Sequence, residues 1–222
     1  MLFLAVFCGF LAEYQLEHKI EKDREKQYVI SLVEDLQQDT SNLLSSLEYF
    51  KRQENYFDTV LTLFPHLSKG YNHSLHNSII GLMGWRDFIP TDKTMEQLKY
   101  AGGMRLIRKR TVADAIAGYD ALLRKYQVDL QELNKAFDKV GDKLGQIVNF
   151  EGRERALRSM TIEELEKGKE NYLLKSDLPT LGEYYNRLWV YRFLRGLTAD
   201  NLKKLHSAAS DLIFLLKNAY HL

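Results

Sequence analysis

The sequence predicts an all-α protein, an antiparallel bundle of long helices whose first helix continues from a membrane anchor. Three prolines and thirteen glycines in 222 residues are too few for the regular turns of an all-β chain. Residues 10–64 contain neither glycine nor proline, so one helix can run through all of them. Apolar residues recur at helical spacing in four segments joined by short pieces, which favours an antiparallel bundle.

The first helix carries an apolar residue at every seventh position after Tyr28, which predicts one buried seam. The members of this seam are Val29, Leu36, Leu43, Phe50, Phe57 and Phe64. Pro65 stops the helix, and residues 65–77 have the glycine, serine, asparagine and histidine content of a loop. We expect a short helix to follow over residues 78–88.

The middle of the chain predicts a tight corner followed by the longest regular stripe. Thr91 or Asp92 can cap a short helix that ends at Gly102-Gly103, and Thr111 can cap the next helix. Eleven apolar residues then alternate spacings of four and three between residues 112 and 147, which predicts one helix over residues 112–149.

The last third of the chain predicts a charged, broken segment and two further helices. Residues 151–176 are charged, and Thr161 can cap a short helix there. Pro179 suits the start of a helix that Gly196 can end. Thr198 would then cap a final helix, whose apolar stripe runs from Leu202 to Ala219.

Residues 2–12 form an uninterrupted apolar run that is too short to cross a bilayer alone. The run lacks the charged start and cleavage site of a secretory signal, so we interpret residues 1–14 as a truncated transmembrane anchor. Residues 15–222 then form a single helical-bundle domain. This interpretation predicts a single-pass membrane protein that contacts lipid through the anchor. We expect an extracytoplasmic domain, although Lys19, Lys22, Arg24 and Lys26, taken alone, favour the cytoplasm.

Two stretches of the sequence are similar to a known family. The first joins the apolar run to the charged helix that follows it, and the second is the run Thr94–Arg108 with the helix that contains Asp114–Tyr119. Together they resemble an uncharacterised bacterial family of membrane-anchored proteins with one N-terminal transmembrane helix. The resemblance implies an anchor and a helical domain of unknown function, and it implies no reaction.

Charge and motif content argue against several functional classes. Thirty-one basic and thirty acidic residues leave a net charge of +1, and no wide basic face indicates nucleic-acid binding. Cys8 is the only cysteine, and the chain contains no nucleophile elbow, phosphate loop or dinucleotide fingerprint. We therefore expect neither an enzyme nor a cofactor. His66, His73 and His76 lack an accompanying carboxylate in their loop, so solvated histidines are favoured over a metal site.

Two clusters are candidates for binding. Arg105 and Arg108 lie in the densest cationic run and could hold phosphate or carboxylate, although pairing with acids of adjacent helices is the favoured alternative. Tyr184, Tyr185 and Trp189 belong to the most aromatic segment, which suits either core packing or a partner or ligand groove. A buried polar contact at Asp35 and Asp39 is a weaker alternative to a solvated, salt-bridged face.

The favoured function is a non-enzymatic, membrane-anchored helical module that acts in protein interaction or signalling in the bacterial envelope. Its partner would be a second copy of the chain or an envelope protein, because long apolar seams suit either. The alternative is a sensory domain in which the arginine corner and the aromatic helix bind a small anionic ligand.

Overall fold

The computed structural model describes residues 2–84, 86–168 and 170–222, with side chains from Val6 onward. Within these ranges the chain is all-helical with a long first helix and contains no β-strand, which confirms the all-α part of the predicted fold. The α-helices are α1 Leu2–Leu63, α2 His73–Leu82, α3 Lys93–Tyr100, α4 Arg110–Ile147, α5 Phe150–Ser159, α6 Ile162–Lys167 and α7 Leu178–Tyr220. Two 3₁₀ turns, Phe64–His66 and Gly103–Leu106, lie in the connections.

Helix α1 is continuous, as the absence of glycine and proline predicts, and its heptad seam is buried from Val29 to Phe57. The single-pass membrane localisation, however, is wrong for the described residues. No helix in the described ranges is long and apolar enough to cross a membrane. The physical reason is that the apolar run of α1 passes within one turn into charged residues, beginning with Glu13.

Several helix boundaries differ from the sequence-based expectation. Helix α2 begins at His73, because the side chain of Asn72 accepts a hydrogen bond from the Leu75 amide and caps the helix there. Helix α4 already includes Thr111, so this residue does not cap it. Helix α7 runs through Gly196 without a break, because tertiary packing on its buried face outweighs the low helix propensity of one glycine.

Two other local predictions are confirmed. Gly102 adopts the left-handed conformation, with φ +74°, just after the C-terminus of α3. Thr161 and Glu164 form a capping box at the start of α6.

The chain divides into two compact units that share the three long helices. Unit 1 comprises residues 1–44, 88–124 and 203–222, and unit 2 comprises residues 45–87 and 125–202. In unit 1, Glu25 accepts a hydrogen bond from the Arg108 amide, and Asp39 accepts one from the Tyr119 hydroxyl. From the first contact to the second, the residue numbers increase on both sides. Helices α1 and α4 therefore run parallel in unit 1.

In unit 2, α7 runs antiparallel to both of the other long helices. Tyr191 packs against Phe57 of α1, whereas Tyr184 packs against Phe64, the first residue of the 3₁₀ turn that follows α1. In the same way, the side-chain hydrogen bonds from Asn201 to Asp129 and from Lys143 to Glu183 join α7 to α4 in the antiparallel direction. Helices α1 and α4, which run parallel to each other, are separated in sequence by residues 64–109. This connection contains α2, α3 and both 3₁₀ turns.

Candidate interaction surface on α7

The part of α7 that belongs to unit 2 has two apolar faces. One face is the predicted core stripe, which includes Leu181, Leu188 and Tyr191, all buried. The opposite face carries four large apolar side chains that are about half exposed. They are Trp189, Val190, Phe193 and Leu197, and we call this set the outer stripe.

The outer stripe is well defined in both geometry and exposure. The rings of Trp189 and Phe193 are parallel, with an interplanar angle of 1° and centroids 5.9 Å apart. Each of the two residues is 55% exposed. The four side chains together present roughly 400 Å² of apolar surface, which is comparable to the largest apolar patch on an ordinary monomer. Patches of this size on soluble proteins often bind other molecules.

The outer stripe also has the spacing of a coiled-coil seam. Asn186, Val190, Phe193, Leu197 and Asp200 are separated by four, three, four and three residues. The three central members of this series are apolar, and the two end members are polar. Trp189 flanks the series on one side, at a position seven residues before Gly196. Apart from the adjacent backbone of α7 itself, a Cβ atom added at Gly196 would meet no atom of the described residues within 4 Å, so no packing contact among them requires a glycine there.

A groove lies beside the outer stripe, between α4 and α7 within unit 2. Its volume is about 440 Å³. Ala136 and Leu194 contribute apolar surface to its lining, and Val190 belongs both to this groove and to the outer stripe. Charged side chains and Asn186 complete the lining, and hydrogen bonds from Lys143 and Arg187 hold the pKa of Glu183 below its usual range. The groove therefore has ionised charges beside apolar surface.

The buried face of α7 contains an arginine that has an aromatic environment. Arg195 is buried, and its guanidinium carbon lies 4.0 Å from the ring centroid of Phe50, with Phe57 and Tyr191 also in cation–π range. Its Nη1 donates to the Tyr191 hydroxyl at 3.4 Å. Nε and Nη2 have no hydrogen-bond partner in the described part of the chain. The cation is thus held mainly by aromatic faces.

The three aromatic residues predicted as binding residues have different environments. Tyr184 is fully buried, and burial raises the pKa of its hydroxyl. Tyr185 is half-buried and packs edge-on against Phe64. Trp189 is exposed on the outer stripe. The aromatic segment therefore supplies both core packing and exposed surface, and the two interpretations of the sequence each describe part of it.

The predicted arginine corner lies in unit 1, whereas the aromatic residues lie in unit 2. Arg105 is exposed and its guanidinium lies near Gly102. Arg108 forms an ion pair with Glu21, with a distance of 2.6 Å between Nη2 and Oε2, and also contacts His18. Arg108 is therefore paired with an acid of a neighbouring helix, which is the favoured alternative for this cluster.

A second polar cluster in unit 2 surrounds His76. The His76 side chain is buried, and its Nδ1 lies 2.9 Å from the carbonyl oxygen of Asn72. Tyr71 packs on the His76 ring with centroids 4.7 Å apart, and its hydroxyl lies 3.0 Å from Nδ1 of His73. Burial lowers the pKa of His76, and the nearby Arg153 cation acts in the same direction. Both effects favour the neutral form of His76.

Arg153 is the charged member of this cluster. It is buried, and its Nη1 lies 3.3 Å from the largely exposed carboxylate of Glu154. Nε of Arg153 and Nε2 of His76 have no hydrogen-bond partner among the described residues. Unsatisfied buried polar atoms of this kind indicate bound water, an ion or a functional role. No group of three or more metal-ligating side chains occurs in the described ranges, however.

Asp39 and Asp35 hold the start of α3 against α1 in unit 1. Asp39 is buried and accepts hydrogen bonds from the Thr91 amide at 2.7 Å and the Tyr119 hydroxyl at 3.1 Å. Asp35 accepts a hydrogen bond from the Thr94 amide in the first turn of α3. The Asp35 carboxylate thus caps α3 from another helix, and Asp92, at the N-cap position, forms no side-chain cap bond. Burial raises the pKa of Asp39. The weaker alternative from the sequence, a buried polar contact, is what the structure contains.

Comparisons of the chain with protein-family models, curated proteins and solved structures give no match. The resemblance to a bacterial family therefore stays a prediction, and the arguments for function come from the surfaces and sites described above.

Proposed function

We propose that the protein is a non-enzymatic interaction module that binds another protein helix through the outer stripe of α7. The observation that carries this proposal is the exposure of Trp189, Val190, Phe193 and Leu197 on one face of a helix whose opposite face is already buried. Interfaces are enriched in tryptophan and phenylalanine at their cores, and such residues dominate binding energy when they are desolvated.

Helix-in-groove recognition suits this surface. An amphipathic helix laid on α7 would place apolar residues against the outer stripe and polar residues near the charged groove beside it. The 4-3-4-3 spacing of the series from Asn186 to Asp200 is the spacing with which helices interdigitate. A flat, irregular or largely polar partner surface would leave the two stacked rings partly in water.

Site-specific photo-crosslinking in living cells tests this function. A photoreactive amino acid at position 193 replaces a half-exposed side chain in the middle of the outer stripe, so it is expected to give a covalent adduct on gels. The matched control is position 128, because Val128 is 60% exposed on α4 in the same unit and lies outside the outer stripe. Equal labelling at both positions, or no adduct at position 193, would contradict the proposal.

A second candidate function is binding of a small anionic ligand at the cluster of His76 and Arg153. The observation that favours it is Nε of the buried Arg153 cation, a donor that has no hydrogen-bond partner among the described residues. A phosphate or carboxylate oxygen would satisfy the Arg153 donor and offset the burial of its charge.

Thermal unfolding tests this second function. Inorganic phosphate and a panel of organic acids are expected to raise the melting temperature, because a ligand that binds only the folded state stabilises it by mass action. The same ligands should not stabilise Arg153→Met, whereas Arg155→Met is the control because Arg155 is an exposed neighbour on the same helix. A flat response of the wild type to every anion would remove this candidate.

A further inference from the structure

We infer that the helix bound by the outer stripe is α7 of a second copy of this chain, packed antiparallel about Phe193. This inference rests on the proposed function and names the partner of the same surface. It depends on three properties of the described residues: the symmetry of the seam about Phe193, the match of large to small side chains, and the match of polar groups at its ends.

The seam has nearly the same spacing in both directions from Phe193. Asn186 and Asp200 are each seven residues away from it, and Val190 and Leu197 are three and four residues away. An antiparallel copy therefore places Phe193 level with its own counterpart, and Val190 level with Leu197 of the other copy. A twofold interface requires such self-complementarity. If one residue of the first copy contacts a second residue of the other copy, the same contact must also form with the two copies exchanged.

Side-chain size is also matched in this arrangement. Trp189 and Gly196 lie four residues before and three residues after Phe193, so antiparallel packing places the indole of one copy beside the glycine of the other. Among the described residues, no side chain and no other helix lies within 4 Å of a Cβ at Gly196, which leaves this space open on the outer surface of α7. Small residues at helix contacts let a bulky neighbour and a second backbone approach closely.

Polar groups at the ends of the seam favour the antiparallel direction. In an antiparallel pair, the amide of Asn186 lies level with the carboxylate of Asp200 of the other copy, at both ends of the interface. In a parallel pair, the two Asp200 carboxylates would lie level and repel each other. The net charge of the whole chain, +1, is too small to keep two copies apart.

The available area sets the expected strength. The outer stripe supplies roughly 400 Å² of apolar surface per copy, about half of what each partner buries in a standard stable interface. Flanking polar residues add to this area but contribute less to affinity. We therefore expect a reversible dimer with a dissociation constant in the micromolar range rather than a permanent one.

Sedimentation of the 222-residue chain over a concentration series, with Cys8→Ser as background, measures this dimer directly. Phe193→Asp is expected to raise the dissociation constant by at least about 100-fold, because the twofold would bury two carboxylates in apolar surroundings. Val128→Asp, which changes another exposed apolar side chain, should leave the constant unchanged. Circular dichroism establishes that each variant is folded, which is expected because the altered side chains are exposed.

Engineered cysteines test the register. In the Cys8→Ser background, Phe193→Cys is expected to form an interchain disulfide under mild oxidation, because this position meets itself. Val190→Cys and Leu197→Cys alone should react slowly, since they lie three and four residues, about 5 and 6 Å along the helix, from the centre. A mixture of these two variants should form a mixed disulfide rapidly. Equal reactivity of all single variants would overturn the antiparallel arrangement.

The two experiments separate the failure of this inference from failure of the proposed function. A chain that remains monomeric at every concentration, but crosslinks at position 193 to a protein of another mass in cells, overturns the second copy and supports the proposed function. A monomeric chain without any adduct at position 193 overturns both. An adduct of twice the mass of the chain supports both.

Discussion

Asp39 provides the most direct test of the physical reasoning in unit 1, because its two oxygens have separate partners. Asp39→Ala would leave the Thr91 amide and the Tyr119 hydroxyl without an acceptor. Each unsatisfied buried donor costs about 1–3 kcal/mol, while removal of a buried charge offsets part of this loss. We therefore expect Asp39→Ala to lower the free energy of unfolding at neutral pH by about 2–4 kcal/mol.

Asp39→Asn separates the hydrogen bonds from the charge. The amide oxygen can still accept from Thr91, and the amide nitrogen can donate to the Tyr119 oxygen after its hydroxyl hydrogen rotates. The substitution also removes the desolvation of a carboxylate. The expected change in the free energy of unfolding at neutral pH is therefore small, under about 1 kcal/mol in either direction.

The pH dependence of the difference between wild type and Asp39→Asn follows from the raised pKa. Burial, helped by the Asp35 charge, raises the pKa of Asp39 above its ordinary value of 3.8, and the bonds from Thr91 and Tyr119 only partly oppose this. The folded state therefore binds the proton more tightly than the unfolded state. The stabilisation that protonation gives to wild type is fully present when the pH is below the ordinary pKa of 3.8. It is lost as the pH rises through the raised pKa of the folded state.

Urea unfolding followed by circular dichroism measures these quantities for the three proteins between acid and neutral pH. Asp114→Asn is the matched control, because Asp114 is exposed and pairs with Arg110 at 3.7 Å, so its contribution should be within about 0.5 kcal/mol of zero. The reasoning fails if Asp39→Ala is no less stable than Asp39→Asn. It also fails if the difference between wild type and Asp39→Asn does not change with pH.

Three further substitutions test other parts of the structure by the same unfolding measurement. Arg195→Met should be neutral or stabilising, because it replaces a buried cation held by aromatic rings with an apolar side chain of similar length; a loss above about 3 kcal/mol would mean that the cation has an anionic partner. Leu188→Ala should destabilise by about 2–5 kcal/mol, since Leu188 is fully buried, and a loss below 1 kcal/mol would contradict its place in the core. Gly102→Ala should destabilise by about 1–2 kcal/mol because of the left-handed backbone at this residue, whereas Gly118→Ala, at an open site in α4, should be neutral or stabilising.

The fold class and the core could be predicted because helical periodicity records burial directly. The α1 seam and the α4 stripe were recognisable because each buried residue recurs at the period of the helix, and burial alone decides that pattern. The direction of packing could not be predicted in this way. Whether α4 runs parallel or antiparallel to α1 depends on the path of residues 64–109, whose short helices lack a long apolar stripe.

The polar sites were harder to predict for a different physical reason. Asp39 lies within a seam that is otherwise apolar, which indicates a buried acid, but its partners are a backbone amide and a hydroxyl more than fifty residues away. The cluster of His76 and Arg153 likewise depends on residues from α2 and α5. Sequence spacing reports which residues share a helix face, and it contains no information about contacts between faces of different helices.

The outer stripe of α7 was recognised only in part from the sequence: Trp189 belonged to a candidate partner groove, whereas Val190 and Leu197 did not. Phe193 and its heptad neighbours lie among buried residues such as Tyr191 and Leu188, so the segment reads as uniformly aromatic rather than as two opposite stripes. A helix that is apolar on both faces must either be surrounded by its own chain or bind something else. Unit 2 covers only one face of α7, since Trp189 and Phe193 remain 55% exposed. The same segment therefore supplies the core of unit 2 and the surface on which we expect a second copy to dock.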